Sequence, residues 1–296
     1  MRFIDDAEVR RLISVEALIP AMRQAMIDFS AGKVEQPTRR MLAQHGGFFA
    51  LMPASGEAMG IKLVTFYPDN DKKGLPTHMA VIALFRPETG EPLALMDGTY
   101  ITEVRTAAVS AVATDALAAP DARVLAILGA GVQGRAHAEV LPRVRNFEEV
   151  RIWSRTPAHA ERFADAHGAR AMPTAEAAVA GADVVCTCTS AREPVLRGAW
   201  LKPGAHVNAV GAPRPDWREL DDAVMANVVI ADSYDGAKTE SGDIIGAGIA
   251  PFAELGEVLA GSKTPPPGAI TVFKSLGMAI QDVASARLVH EAAGAA

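Results

Sequence analysis

The chain has 296 residues, of which 49% are hydrophobic and 22% charged, and its formal net charge is −6. That length leaves room for two domains, and the balance is ordinary for a folded globular protein. The negative charge argues against a general nucleic-acid or membrane-surface role, and no apolar run is long enough to span a bilayer. The first residues, MRFIDDAEVRR, carry acids early and lack the apolar core of a signal peptide. The histidines are scattered without metal-ligand spacing, so no metal site is expected. Cys186 and Cys188 alternate along one apparent strand, too close for a disulfide. They read as buried thiols of a cytoplasmic protein.

The first ~118 residues lack a strand–helix–strand rhythm. Val15, Leu18, Ile19, Met22, Met26 and Phe29 fall at helical spacing, with Pro20 expected to kink that helix or start its second part. Strand-like runs follow at 39–44, 48–52, 60–66, 79–85 and 92–96. Turn signals separate them at Gly46-Gly47, Pro68-Asp69-Asn70 and Pro87 to Gly90. Thr102 reads as the N-cap of a small-residue helix that continues to about Ala118.

Cations occupy apolar settings in this region. Lys62 interrupts the hydrophobic strand GIKLVTF, and Arg39 and Arg40 precede another strand. Arg105 falls in the first turn of its expected helix, where the dipole disfavours a cation. Singly, Lys62 could snorkel and Arg105 could pair with Glu103 or Asp97. Together they predict a site for an anionic substrate, whose carboxylate would use the arginine fork.

Ala119-Pro120-Asp121 marks a boundary. Beyond it an apolar run, 124–128, enters Gly129-Ala-Gly131-Val132-Gln133-Gly134, then a helical segment and a second apolar run, 150–153. In that context the glycine pattern predicts a dinucleotide site. Gly129 permits a tight turn, Gly131 lets backbone approach a pyrophosphate, and Gly134 lets the helix pack close to the strand. The second strand ends in Ser154-Arg155-Thr156 rather than the acid expected for a ribose 2′-hydroxyl. A guanidinium between two hydroxyls suits a 2′-phosphate, so NADP(H) is expected, with NAD(H) possible. Further strands are expected at 169–172, 184–188, 206–210 and 228–231, alternating with helices as in a parallel sheet. After a break at 264–268, a last helix from Ser275 returns to the first domain. The expected architecture is α/β: a Rossmann-type doubly wound parallel sheet over 119–274, and an α+β substrate and dimerisation domain over 1–118 completed by 275–296.

The segments MGIKLVTFYP, GLPTHMAVIALFRPETGEPLALMDGTYITEVRTAAVSAVAT, LGAGVQGRAH, VRIWSRT, NAVGAPRPDWRELDD and KTESGDI resemble the ornithine cyclodeaminase/mu-crystallin family, over about 39–282. The resemblance implies a homodimer, a nicotinamide cofactor, and a carboxylate held by Arg39, Lys62 and Arg105. It prefers Arg39 over Arg40 by its spacing to Met52. It places Gly129, Gly131 and Gly134 at the cofactor phosphates, in the turn that Val132 and Gln133 complete, and an Arg-Thr pair at the 2′-phosphate where this chain has Arg155-Thr156 after Ser154. Two departures matter. Cyclodeaminases carry acids where this chain has Pro213 and Ala50, so nothing there can hold a side-chain amine or activate water. The stretch from Ala212 to Asp222 instead resembles the mu-crystallin branch. That implies NADP(H)-dependent reduction of cyclic α-imino acids, with Lys62 as the candidate catalytic residue. The alternatives are an alanine or N-alkyl-amino-acid dehydrogenase, ornithine cyclodeaminase, and a non-catalytic NADPH-binding protein.

Overall fold

The computed structural model describes residues 1–295. It divides into two compact units, 1–105 with 277–296 and 106–276. The first unit begins with β1 (Arg2–Ile4), α1 (Asp6–Leu12) and α2 (Val15–Ser30). A strand series follows: β2 (Arg40–Gln44), β3 (Gly47–Ser55), β4 (Met59–Phe66), β5 (His78–Phe85) and β6 (Pro92–Asp97). α3 (Thr99–Leu117) crosses from the first unit to the second, whereas the sequence reading put the boundary after it.

Two local expectations are corrected. α2 runs unbroken through Pro20, capped by the Ser14 hydroxyl, which accepts from Ala17 N–H. α3 begins three residues before Thr102, and Asp97 accepts from Thr99 N–H ahead of it. The Thr102 hydroxyl instead donates back to the Gly98 carbonyl at 2.7 Å. Arg105 therefore lies in the second turn, and the dipole conflict read from the sequence does not arise.

The second unit contains β7 (Val124–Leu128), α4 (Val132–Val140), β8 (Glu149–Trp153), α5 (Pro157–His167), β9 (Arg170–Ala171), α6 (Ala175–Val179), β10 (Val184–Thr187) and β11 (His206–Ala209). It continues with α7 (Asp222–Met225), β12 (Val228–Ala231), α8 (Tyr234–Glu240), α9 (Gly242–Ala247), β13 (Ala253–Glu254), α10 (Leu255–Leu259) and β14 (Thr271–Lys274). Its eight strands pair in parallel in the order β13-β12-β14-β11-β10-β7-β8-β9. The winding reverses between β7 and β10. In a doubly wound sheet, that is the crevice where ligands bind at the carboxyl ends of the strands. β14 was not expected from the sequence, yet it lies inside the sheet between β11 and β12.

The chain ends in α11 (Ala279–Ala295). The helix expected from Ser275 starts at Ala279 because Gly277 adopts φ +81°; Ala296 lies outside the described residues. α11 packs on α2 and on β3, β4 and β5 of the first unit. That sheet has the order β1-β6-β5-β4-β3-β2, antiparallel except for β1 on β6. Strand alternation splits its residues cleanly. Ala50, Met52, Lys62, Val64, Ala80, Ile82 and Met96 are buried on one face. Leu51, Leu63, Met79, Val81 and Leu95 occupy the other, half-buried or exposed.

Candidate functional site

Lys62 pairs with Met52 and Ile82 on the buried face of the first unit's sheet. It is 2% exposed, so it does not snorkel to water. A buried ammonium needs an anion. It finds one in Asp282, in the first turn of α11, whose carboxylate lies 2.5 Å from Nζ and is fully buried. Arg105 meets the same carboxylate through Nε at 2.8 Å and donates through Nη1 to the Gln281 amide oxygen at 2.7 Å. Asp282 and Gln281 are thus the partners of Arg105, not Glu103 or Asp97. A guanidinium has five donors, so these two contacts do not exhaust it.

Arg39 is half-buried and donates to the Gly277 carbonyl at 2.8 Å, while Arg40 is exposed and pairs across to Leu51 on the outer-face register. Gly277 has a second duty. A Cβ there would sit 2.9 Å from Arg105 Nη2, so only glycine lets the guanidinium lie against the backbone. The structure therefore gathers Arg39, Lys62 and Arg105 around Asp282, Gln281 and Gly277, which sequence reasoning missed. Ala50 lies on the same buried face, opposite Val64, and brings no acid.

Burial lowers the Lys62 pKa to about 7; Arg105 and Arg39 act in the same direction and Asp282 opposes them. Burial pushes Asp282 up, but Arg105 and Lys62 outweigh it and hold the carboxyl below its usual range. His78, at the start of β5, is lowered to about 4 by burial and by the same two cations, so its imidazole is neutral at pH 7. The cluster carries more positive than negative charge, and an added carboxylate would offset that excess.

In the second unit, Gly129 has φ +115°, and a Cβ there would lie 2.4 Å from the Cys188 carbonyl oxygen. The turn after β7 is pressed against the end of β10 at the winding reversal. A Cβ at Gly134 would lie 2.0 Å from the Gly129 oxygen, so α4 folds directly onto the turn. Gly131 differs: nothing lies within 4 Å of its Cβ position. It is the N-cap of α4 and supplies no side-chain cap, which leaves the first N–H groups of the helix to another acceptor. Val132 is 42% exposed beside it, and the Gln133 amide oxygen is buried without a hydrogen-bond partner. Ser154 is half-buried and Arg155 and Thr156 are exposed where β8 leads into α5. A cavity of about 390 Å³ opens next to Gly131, lined by Arg135, His159, Arg162 and His167 and by no acid. An open cradle at a helix N-terminus, an unpartnered amide and a basic cavity fit a phosphate-bearing dinucleotide.

The loops at the carboxyl edge of the parallel sheet are tied by a buried polar knot. Lys274, at the end of β14, forms a fully buried ion pair with Asp243 at 2.8 Å and donates to the Gly211 carbonyl. Asp243 accepts from the backbone N–H of Glu219 and Leu220 at 2.8 and 3.0 Å. Glu219 in turn accepts from the Thr187 and Thr189 hydroxyls and from Thr189 N–H. Pro213 sits in the loop so fixed, next to Ala212 at φ +53°. Among the described residues no group of three or more His, Cys, Asp or Glu is placed to hold a metal, and no helix is long and apolar enough to cross a membrane.

The sequence profile of the ornithine cyclodeaminase/mu-crystallin family matches residues 2–296. Ketimine reductase mu-crystallin of Mus musculus is 48% identical over 301 residues, 98% of this chain and 96% of its own. The structure of Thermococcus litoralis Δ1-pyrroline-2-carboxylate reductase, in complex with NADH and L-proline, superposes with a TM-score of 0.95 at 38% identity, covering 100% of this chain and 98% of its own. An archaeal alanine dehydrogenase dimer with bound NAD gives 0.95 at 35% identity, covering 100% and 96%.

The two glycines of the turn should separate in experiment. Gly134→Ala forces a backbone shift and should destabilise the protein by about 1–3 kcal/mol, read as a lower Tm. Gly131→Ala meets no protein atom and should cost less than about 1 kcal/mol. It should still weaken nicotinamide dinucleotide binding in a direct titration. Equal Tm losses for the two variants would contradict these roles.

Proposed function

Because the chain belongs to the ornithine cyclodeaminase/mu-crystallin family, we propose that it is an NADP(H)-dependent reductase of cyclic α-imino acids such as Δ1-pyrroline-2-carboxylate and Δ1-piperidine-2-carboxylate. The observation that carries this reading is that buried Lys62 and Arg105 share one carboxylate, Asp282, with Arg39 on the Gly277 carbonyl of the same segment. The substrate carboxylate is bound there by the two guanidiniums and the ammonium. The backbone N–H groups that open α4, with Gly129, Gly131, Val132, Gln133 and Gly134, hold the cofactor diphosphate. Ser154, Arg155 and Thr156 hold the 2′-phosphate. A reduced nicotinamide held there would supply the hydride for the imine carbon. An imine that arrives protonated needs no acid from the protein, and one that arrives neutral takes its proton from Lys62. The remaining work of the chain is to orient the substrate and keep water out.

A second reading keeps the cofactor and changes the substrate: an acyclic keto acid plus an amine, since an alanine dehydrogenase shares the fold. A spectrophotometric screen separates the two. NADPH oxidation with five- and six-membered cyclic imino acids and no added amine supports the first. Turnover of pyruvate only when ammonia or an alkylamine is present would replace it with the second. Cyclodeaminase chemistry is disfavoured by Ala50 and Pro213, which leave a side-chain ammonium unpaired.

We also infer a homodimer built on the outer face of the first unit's sheet. Leu51, Leu63, Met79, Val81 and Leu95 form an uncovered apolar surface on adjacent strands, and the archaeal relative is a dimer. Such a face buries itself against a second copy.

Two further outcomes are expected. Arg155 is exposed, and losing its charge-assisted fork should cost roughly 1.5–3 kcal/mol. Arg155→Ala should raise the KM for NADPH about ten-fold or more and leave NADH nearly unchanged; equal losses for both would reject the assignment. Val81→Asp should shift the sedimentation coefficient from dimer to monomer, and an unchanged dimer would place the interface elsewhere.

A further inference from the structure

Asp282 touches both Lys62 and Arg105, yet the chemistry above gives it no task. Its two neighbours respond differently to a missing counter-charge. Arg105 stays protonated in any protein environment. Lys62 is a compact ammonium that surrenders its proton when buried near other cations. Among the described residues, the charged and titratable groups that face it are Asp282 from α11, Arg105 from α3, Arg39 ahead of β2 and His78 from β5. Asp282 is the only anion in that set, and its carboxylate is fully buried against both Lys62 and Arg105. Without it Lys62 would share its buried site with the Arg105 guanidinium and lose the carboxylate that both cations contact.

We propose that Asp282 is a positioning residue that keeps Lys62 protonated, so that one ammonium both binds the substrate carboxylate and donates to the imine nitrogen. The proposal rests on the imino-acid reading for its second half. In the proton transfer, an Nζ–H bond of Lys62 breaks and an N–H bond forms at the imine nitrogen. The electron pair of the new C–H bond comes from reduced nicotinamide, and neutral Lys62 regains a proton from water. The opposing effects of burial and Asp282 leave Lys62 at about 7, where a group can both hold and release a proton at neutral pH. His78, neutral at that pH, adds no charge. Below the inflection Lys62 is charged and attracts the carboxylate, and above it that attraction is lost.

The test is an NMR titration of the ligand-free protein labelled with ¹³Cε-lysine and ¹³Cγ-aspartate, with Lys62→Arg and Asp282→Asn identifying the two resonances. Wild-type Lys62 should titrate at about 7. In Asp282→Asn the inflection should fall by more than one pH unit, and in Asp282→Glu it should largely return. The wild-type Asp282 carboxyl carbon should move at the same pH as Lys62, a readout that needs no variant to fold. L-Proline affinity should weaken above the wild-type inflection, and at correspondingly lower pH in Asp282→Asn. An unchanged Lys62 inflection in Asp282→Asn, or no shared inflection in the wild type, overturns the proposal. So does an affinity loss equal at every pH, which is what a merely structural Asp282 would give. If the titrations behave as stated but cyclic imino acids are not reduced, the Asp282–Lys62 coupling stands and the imino-acid reading falls.

Discussion

A lysine and an arginine cannot both be stripped of water inside a small α+β unit unless a carboxylate accompanies them. Desolvation costs several kcal/mol per ion, and removing one partner of such a cluster typically costs ~3–5 kcal/mol. That constraint explains the path of the chain. β4 brings Lys62 and α3 brings Arg105, but the anion that meets both arrives with α11, at the far end of the sequence. The same segment supplies the Gln281 amide to Arg105 and the Gly277 carbonyl to Arg39. The first unit is therefore electrostatically complete only once the C-terminal helix has docked on β3, β4 and β5. An all-apolar core would have packed more cheaply. Two buried cations that share one carboxylate fit a device for holding a second carboxylate.

The parallel sheet meets a different demand. Its crevice must present bare backbone to a ligand, so the turn after β7 is shaped by what is absent. Gly129 and Gly134 are pinned by contacts that exclude a Cβ, whereas Gly131 faces open space. The loops across the crevice cannot be left loose, and Lys274, Asp243 and Glu219 tie them from below with fully satisfied polar contacts. Such networks stabilise only when every member is paired, and this one fixes the loop in which Pro213 stands.

Much of this was legible in the sequence because the signals are local. The glycine turn lies between an apolar strand and a helix within a dozen residues. The antiparallel strands announce themselves by alternation. Lys62 stands out because a cation in the middle of GIKLVTF has no local excuse. What could not be read depends on distance. Asp282 is 177 residues from Arg105, and nothing in its own helix distinguishes it from a solvent-facing acid. The start of α3 was misplaced because Thr102 is a plausible cap by type; Asp97 caps the chain earlier, and the shift removes the dipole argument once attached to Arg105. β14 is four residues long and follows a proline-rich break, so its central place in the sheet comes only from pairing with β11 and β12. The expectation of an anion site on Arg39, Lys62 and Arg105 thus came with a wrong reason for one member. Lys62 and Arg105 nevertheless meet at Asp282, and Arg39 reaches Gly277 of the same segment.

The imino-acid reading rests on whether Arg39, Lys62 and Arg105 receive a carboxylate. A crystal structure of the protein with L-proline and oxidised cofactor tests it most directly. The proline carboxylate should lie within about 3.2 Å of donors on Arg39, Lys62 and Arg105, with Asp282 still paired to Lys62 and Arg105. Proline bound with its carboxylate away from these three side chains, or a carboxylate that displaces Asp282 from both cations, would contradict it.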